Sequence, residues 1–301
     1  IKEVPNLYFV QYRKIFFLTS LTFAFLSIVF LFFKGLNFGI DFRGGLLIEI
    51  KLNKNTSQTQ IRNEILKVDL GDFVIQSLDN SKDNFLLKME LNNNQEGEQE
   101  KLVNDIKGIL NSSFGEDIDF RRVEYVGPTV SQELITTGIL AILTAIFCML
   151  VYIWFRFELP FAIGAVIALI HDTTLTIGMF SITSLEFNLS TVAAILLIIG
   201  YSMNDTVVVY DRIRENLKKF KKIETINLLN KSINETLART INTTATTILA
   251  LLALYLFGGN IIKDFSLAMI WGIIIGTYSS ILIATPILLN MKIRKTKREE
   301  E

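Results

Sequence analysis

The sequence predicts an α-helical membrane protein carrying one small α+β domain, and three observations lead there. Six segments are apolar over ~20 residues, the length a helix needs to cross a bilayer. Lysines and arginines collect beside alternate ends of those segments. One long interval, after the first segment, is instead rich in Asn, Lys, Asp and Glu and shows strand and helix periodicity. Half of the 301 residues are hydrophobic and only 20% are charged, far more apolar sequence than a water-soluble domain of this length needs. The net charge of zero hides the asymmetry and says nothing about partners.

Hydrocarbon offers no hydrogen-bond partner, so a spanning backbone must satisfy itself as a helix. The spans are placed at residues 15–33, 133–155, 159–180, 189–210, 239–257 and 265–289. The first is long for a signal peptide and no A-x-A-like site follows it, so it is read as a retained span. Lys2, Arg13 and Lys14 precede it, and Arg156 lies between the second and third spans. Arg212, Arg214, Lys218, Lys219, Lys221, Lys222 and Lys231 follow the fourth; Lys292, Arg294, Lys295, Lys297 and Arg298 follow the sixth. Alternating spans put all of these on one side, which the positive-inside rule makes cytoplasmic. Residues 1–14, the 211–238 segment and the basic tail 290–301 are then cytoplasmic, and residues 34–132 form a periplasmic domain. The opposite short loops agree: 181–188 holds no cation and 258–264 only Lys263.

In the outer domain, residues 46–52 alternate as a half-buried strand does. Ser57-x-x-Gln60 reads as a capping box opening a helix through Lys67. Strands are expected at 73–78 and 85–91 around a turn at Asp79-Asn80-Ser81, a second helix at 98–110 and a fourth strand at 120–126. The order β-α-β-β-α-β fits the ferredoxin-like split βαβ motif. The Asn-rich, acidic stretch 92–100 reads as a loop. In the 211–238 segment, Ile213, Leu217, Phe220, Ile223 and Ile226 recur every three to four residues. That spacing leaves two readings, an amphipathic helix on the membrane surface or a solvated connection.

Ionisable groups inside apolar spans are the informative positions, because a charge at a helix centre costs ~2.5–3.5 kcal/mol on insertion scales. Asp205 sits in the fourth span between Asn204 and Thr206, sharing a face with Gly200, Tyr201, Asn204 and Val208. A carboxyl balanced between desolvation and a nearby cation binds and releases protons near neutral pH. The bland alternative is an interfacial cap. Arg239 opens the fifth span at comparable depth, followed by Thr240, Thr243, Thr244 and Thr247 on one face. The sharp reading is an Asp205–Arg239 pair made and broken as Asp205 protonates; the bland one is a positive-inside arginine with packing threonines. His171-Asp172, midway along the third span, is either a proton shuttle or a hydrogen-bonded structural pair.

Gly272-x-x-x-Gly276-x-x-x-Ser280 is a small-residue stripe suited to close helix packing. Cys148 is the one cysteine and His171 the one histidine, so neither an intramolecular disulfide nor a Cys/His metal site is expected. No P-loop or nucleophile–base arrangement occurs. The chain reads as a non-enzyme without an ATPase motif, driven by a gradient or a partner.

Several motifs together resemble the SecD/SecF family. Phe38-Gly39-Ile40-Asp41-Phe42-Arg43-Gly44-Gly45 is similar to its G-[IL]-D-F-x-G-G signature. Val123-Glu124-Tyr125-Val126-Gly127-Pro128 is similar to the element entering the second span. Phe155-Arg156-Phe157-Glu158, Ala168-Leu169-Ile170-His171-Asp172, Leu256-Phe257-Gly258-Gly259 and Phe265-Ser266-Leu267 follow in order. The run from Gly200 through Asp205-Thr206 to Asn216 is the most specific, with Met203 where Ile or Leu is more usual. The similarity covers residues ~30–290.

The resemblance implies a six-helix RND-type bundle with protons as the coupling ion and no cofactor. It implies a proton-transfer pair at Asp205 and Arg239, beside which the reading of the spans sets Asn204, Thr206, His171, Asp172, Thr240 and Thr243 as supporting residues. The partners it implies are SecD, the SecYEG channel, YajC, unfolded preproteins in transit and membrane lipid; no nucleic acid is expected. Two other functions compete: an RND-like proton-coupled solute exporter, against which the single ~95-residue outer domain argues, and a passive translocon scaffold, for which neutralising Asp205 would leave export intact.

Overall fold

A computed structural model describes residues 5–52, 56–66, 73–77, 83–89, 98–115, 118–291 and 293. Its main elements are α1 (Arg13–Lys34), β1 (Gly45–Lys51), α2 (Gln58–Ile65), β2 (Phe73–Ser77), β3 (Asn84–Met89), α3 (Glu98–Phe114) and β4 (Asp119–Val126). They continue with α4 (Pro128–Arg156), α5 (Leu159–Thr183), α6 (Leu189–Lys219), α7 (Thr225–Phe257) and α8 (Gly259–Ser279), the last followed by a π-helical turn at Ser280–Ala284. Contacts divide the chain into two units, Phe38–Gly138 and the combination of Ile1–Asn37 with Ile139–Glu301.

The first unit is an antiparallel sheet in the order β2-β3-β1-β4, crossed by α2 and α3. It is the α+β arrangement expected from the β-α-β-β-α-β pattern. Strand β3 alternates buried and half-buried side chains, as one face on a core requires. Its Phe85, Leu87 and Met89 meet Leu46, Ile48 and Ile50 of β1, Ile61 and Ile65 of α2, and Ile106 and Leu110 of α3 in one apolar cluster. The Ser57–Gln60 capping box forms: Gln60 N donates to Ser57 Oγ at 3.3 Å and Ser57 N to Gln60 Oε1 at 2.9 Å. The end of the expected helix at Lys67, the turn at 79–81 and residues 92–97 lie outside the described residues.

Gly44 and Gly45 enter β1 from a single helical turn, Ile40–Arg43, with φ of 77° and 132°. A Cβ on Gly44 would stand 3.2 Å from Ser131 Oγ and 3.3 Å from the Val126 carbonyl. Positive φ and this closeness together require glycine.

In the second unit and its approaches, six helices are long and apolar enough to cross a membrane. The helices outrun the expected spans. Helix α6 continues to Lys219 and α7 already begins at Thr225, so only five residues separate them. The 211–238 segment is therefore not a separate surface helix. Its apolar spacing serves the packing of two long helix ends, with Ile213 and Leu228 fully buried. Asn216 Nδ2 donates to Ser232 Oγ at 2.9 Å and to Glu235 Oε2 at 2.8 Å, and Arg212 Nε reaches the same Glu235 oxygen at 2.7 Å.

Three spans are central and three peripheral. Buried residues make up 61%, 56% and 56% of the apolar windows of α5, α6 and Ile262–Asn290, against 11%, 6% and 11% for Val10–Lys34, α4 and α7. The central helices approach closely because their contact residues are small. A Cβ on Gly272 would overlap the Ile198 side chain, and one on Gly276 would lie 2.8 Å from Ser202 Cβ. Gly164 likewise leaves room for Tyr210, whose hydroxyl donates to the Ala284 carbonyl at 3.1 Å.

Candidate functional site

The polar groups of the central helices meet in a single seam. Asp172, on α5, is 1% exposed. Its Oδ2 accepts from Ser202 Oγ of α6 and from Ser279 Oγ of α8, each at 2.7 Å. Its Oδ1 lies 3.0 Å from His171 Nδ1. Two serine hydroxyls from two other helices and the neighbouring imidazole thus surround this one carboxyl group. His171 turns its other nitrogen, Nε2, into a buried position with no partner. Its ring lies 6.3 Å from that of Tyr278.

Asp205 lies on α6 three residues after Ser202 and is 2% exposed. Thr277 Oγ1 of α8 donates to its Oδ2 at 3.3 Å. That threonine also shares a 2.9 Å hydrogen bond with Thr244 of α7. One residue on, Thr206 Oγ1 meets Ser280 Oγ at 2.8 Å. On the preceding turn, Tyr201 donates its hydroxyl to Thr247 Oγ1 at 3.3 Å.

The expected Asp205–Arg239 contact is not made: among the described residues no ion pair within 4.0 Å joins them. Arg239 is exposed on α7, and the hydroxyl nearest the carboxylate comes from α8 instead. Thr243 donates to the carbonyls of its own helix, at 2.9 Å to Thr240 and 3.1 Å to Arg239. Thr240 is buried at 1% exposure with its hydroxyl unpartnered. The shared face drawn through Gly200, Tyr201, Asn204, Asp205 and Val208 is split. Asp205 points into the bundle, whereas Gly200 and Asn204 are exposed. They line a mostly apolar crevice of about 410 Å³ with Cys148, Met149, Tyr152 and Met203. A helix turns 100° per residue, so neighbours in sequence part company at a bundle surface.

Sequence reasoning named Asp205, Thr206, His171 and Asp172, which the structure brings into the seam. It missed Ser202 and the four consecutive hydroxyl residues Thr277, Tyr278, Ser279 and Ser280. Only Ser280 was noticed, as part of a packing stripe. Four hydroxyls in a row inside an apolar span were the available signal. Among the described residues no cluster of His, Cys, Asp and Glu suits a metal ion.

Comparison with known proteins follows this geometry. Residues 106–294 match the family model for the C-terminal part of the protein export membrane proteins SecD/SecF, and residues 29–56 match the SecD/SecF GG motif. The protein translocase subunit SecF of Rickettsia rickettsii is 44% identical over 291 residues, 97% of this chain and 94% of that protein. The same-named subunit of Rickettsia prowazekii is 42% identical over 99% of this chain and 96% of its own length. The crystal structure of SecDF, a translocon-associated membrane protein from Thermus thermophilus, superposes with a TM-score of 0.84 at 33% identity over 96% of this chain. A super-membrane-facing form of SecDF gives 0.71 at 34% identity over 98%. This chain spans 39% and 40% of those two SecDF chains. The likeness identifies the bundle as an RND-type fold.

Proposed function

The chain belongs to the SecD/SecF family of protein export membrane proteins and is a multi-pass inner-membrane accessory subunit of the Sec translocase; we propose that it couples the proton-motive force to protein translocation, with Asp205 as its proton-carrying group. In this reading the chain pairs with SecD to complete an assembly of the SecDF kind and works beside the SecYEG channel and YajC on unfolded preproteins. Both termini face the cytoplasm, and the sheet unit faces the periplasm.

One observation carries the proposal. Among the described residues, Asp205 is buried in the helical bundle with a single hydroxyl at 3.3 Å and no ion pair within 4.0 Å. A permanently charged carboxylate there bears a large desolvation cost that one long hydrogen bond does not offset. A carboxyl that takes up and loses a proton bears it only part of the time. Arg239, exposed on the neighbouring helix, is the cation that moves toward Asp205 in its charged state and away in its neutral one. Each proton crossing yields ~2.3 kcal/mol per 100 mV, enough to bias a two-state motion of the outer unit.

The test is Asp205→Asn and Arg239→Ala in the intact translocase, scored for gradient-driven export with assembly measured in parallel. Assembly with export lost is the expected result. Normal export in both variants would reject proton coupling and leave a passive scaffold. Proton-coupled efflux of a small solute by the reconstituted complex would favour an exporter.

A further inference from the structure

We propose that Asp172 is a positioning residue for Asp205, acting through Ser202 and through the hydroxyl turn formed by Thr277, Tyr278, Ser279 and Ser280. The inference rests on the reading that Asp205 exchanges protons.

The turn is unusual in what it touches. Thr277 bonds Asp205 on α6 and Thr244 on α7. Tyr278 bonds Ser20 at 2.8 Å and the Phe16 carbonyl at 3.2 Å, both on α1. Ser279 bonds Asp172 on α5. Ser280 bonds Thr206 and, at 3.2 Å, the Ser202 carbonyl, both on α6. Four successive residues fan around the helix axis, so one turn of α8 is tied to every helix around it.

This turn leads directly into the π-helical turn Ser280–Ala284, and Pro286 follows. Pro286 has no N–H to give to the preceding turn, and its ring crowds the carbonyl there. Within this stretch Thr285 Oγ1 bonds the Ser280 carbonyl at 3.0 Å and the Tyr210 hydroxyl bonds the Ala284 carbonyl at 3.1 Å. A π turn inside an α-helix is rare and occurs often at functional sites.

Asp172 ties the residue just before that turn to α6. One of its oxygens accepts from Ser202, one helical turn before Asp205, and from Ser279, two residues after Thr277. It therefore fixes the spacing of α6 and α8 at the level where Thr277 meets Asp205. That contact, at 3.3 Å, is near the limit of a hydrogen bond, so a small slide of α8 makes or breaks it. Among the described residues, four other titratable side chains around the turn have partners of their own, and Arg239 of α7 lies near enough to act on the Asp205 charge. His171 Nδ1 is on Asp172, Tyr278 on α1, Tyr201 on Thr247 and Tyr210 on Ala284, and Arg239 is exposed.

The experiment measures gradient-driven export against pH in membrane vesicles carrying the intact translocase, for Asp172→Ala, Asp172→Asn, Ser279→Ala and Asp205→Asn, with the amount of assembled protein determined for each. Asp172→Ala and Ser279→Ala are expected to displace the midpoint of the profile by about half a pH unit or more, the scale one hydrogen bond sets. Asp172→Asn keeps the wild-type midpoint, because its amide oxygen still accepts from both serines. If Asp172→Ala does not assemble, Ser279→Ala provides the measurement. An Asp172→Asn protein as inactive as Asp205→Asn would make Asp172 a proton carrier and overturn the positioning role. Reduced assembly with an unmoved midpoint in both truncations would reduce it to ordinary structure. Normal export by Asp205→Asn would overturn the proposed function and this inference with it. An inactive Asp205→Asn beside wild-type profiles for the other three would overturn this inference alone.

Discussion

Asp172 and Asp205 sit on adjacent central helices, each almost fully buried, yet their surroundings differ. Around Asp172, Ser202 of α6 and Ser279 of α8 donate at 2.7 Å, and His171 of its own helix shares a 3.0 Å hydrogen bond. Around Asp205 one threonine donates at 3.3 Å, and the nearest arginine in the fifth span turns outward. Burial alone does not assign a role to an intramembrane carboxylate; the number of donors aimed at it does. A carboxyl group that accepts from several helices resists change, since each donor must find another acceptor when it leaves. A sparsely held one changes state with little rearrangement.

The sharpest way to break this contrast is to neutralise each group without changing its shape. Asp205→Asn should abolish the part of export that a protonophore abolishes in the wild type, a loss of tenfold or more by order of magnitude if ~2.3 kcal/mol per 100 mV is no longer harvested. Export rates in vesicles with and without protonophore would check it. Removing the carboxyl altogether should invert the ranking for stability. Asp172→Leu removes the acceptor shared by Ser202 and Ser279 and should cost about 1–3 kcal/mol, whereas Asp205→Leu should cost about 1 kcal/mol or less. Unfolding of the purified complex in mixed micelles would measure both.

Smaller effects sharpen the boundaries of the seam. Gly272→Leu drives a side chain into Ile198 and should destabilise the α6–α8 contact by about 1–3 kcal/mol. Ser280→Ala removes the bond to Thr206 and should cost about 0.6 kcal/mol, the average for such a bond between membrane helices. Asn204→Ala, adjacent to Asp205 but on the exposed side, should stay within about 0.5 kcal/mol in the same assay.

Residues along the chain differ in how openly they declare themselves. The spans were legible because a bilayer imposes length and apolarity on each helix by itself, whatever its neighbours. The sheet unit was legible because the Ser57–Gln60 cap and the alternation in β3 are local signals. Asp205, Asp172 and His171 were legible as ionisable groups where hydrocarbon penalises them. Thr277 and Ser279 were not, because a hydroxyl in an apolar helix can always bond its own backbone, as Thr243 does. The extended ends of α6 and α7 were hidden for a related reason: a charged helix end looks like a loop until its partner helix is in place.

By itself, then, the order of residues determined which helices are long and apolar enough to cross a membrane, where the sheet domain is inserted among them and which buried groups can carry charge. Only the tertiary structure decided that, among the described residues, Asp172 accepts from two hydroxyls of other helices and Asp205 from one. The donors to Asp172 stand 30 and 107 positions away, and the donor to Asp205 stands 72 away. Which hydroxyl meets which carboxylate is set by how closely small residues let α5, α6 and α8 pack, and that distance exists only once the helices are assembled.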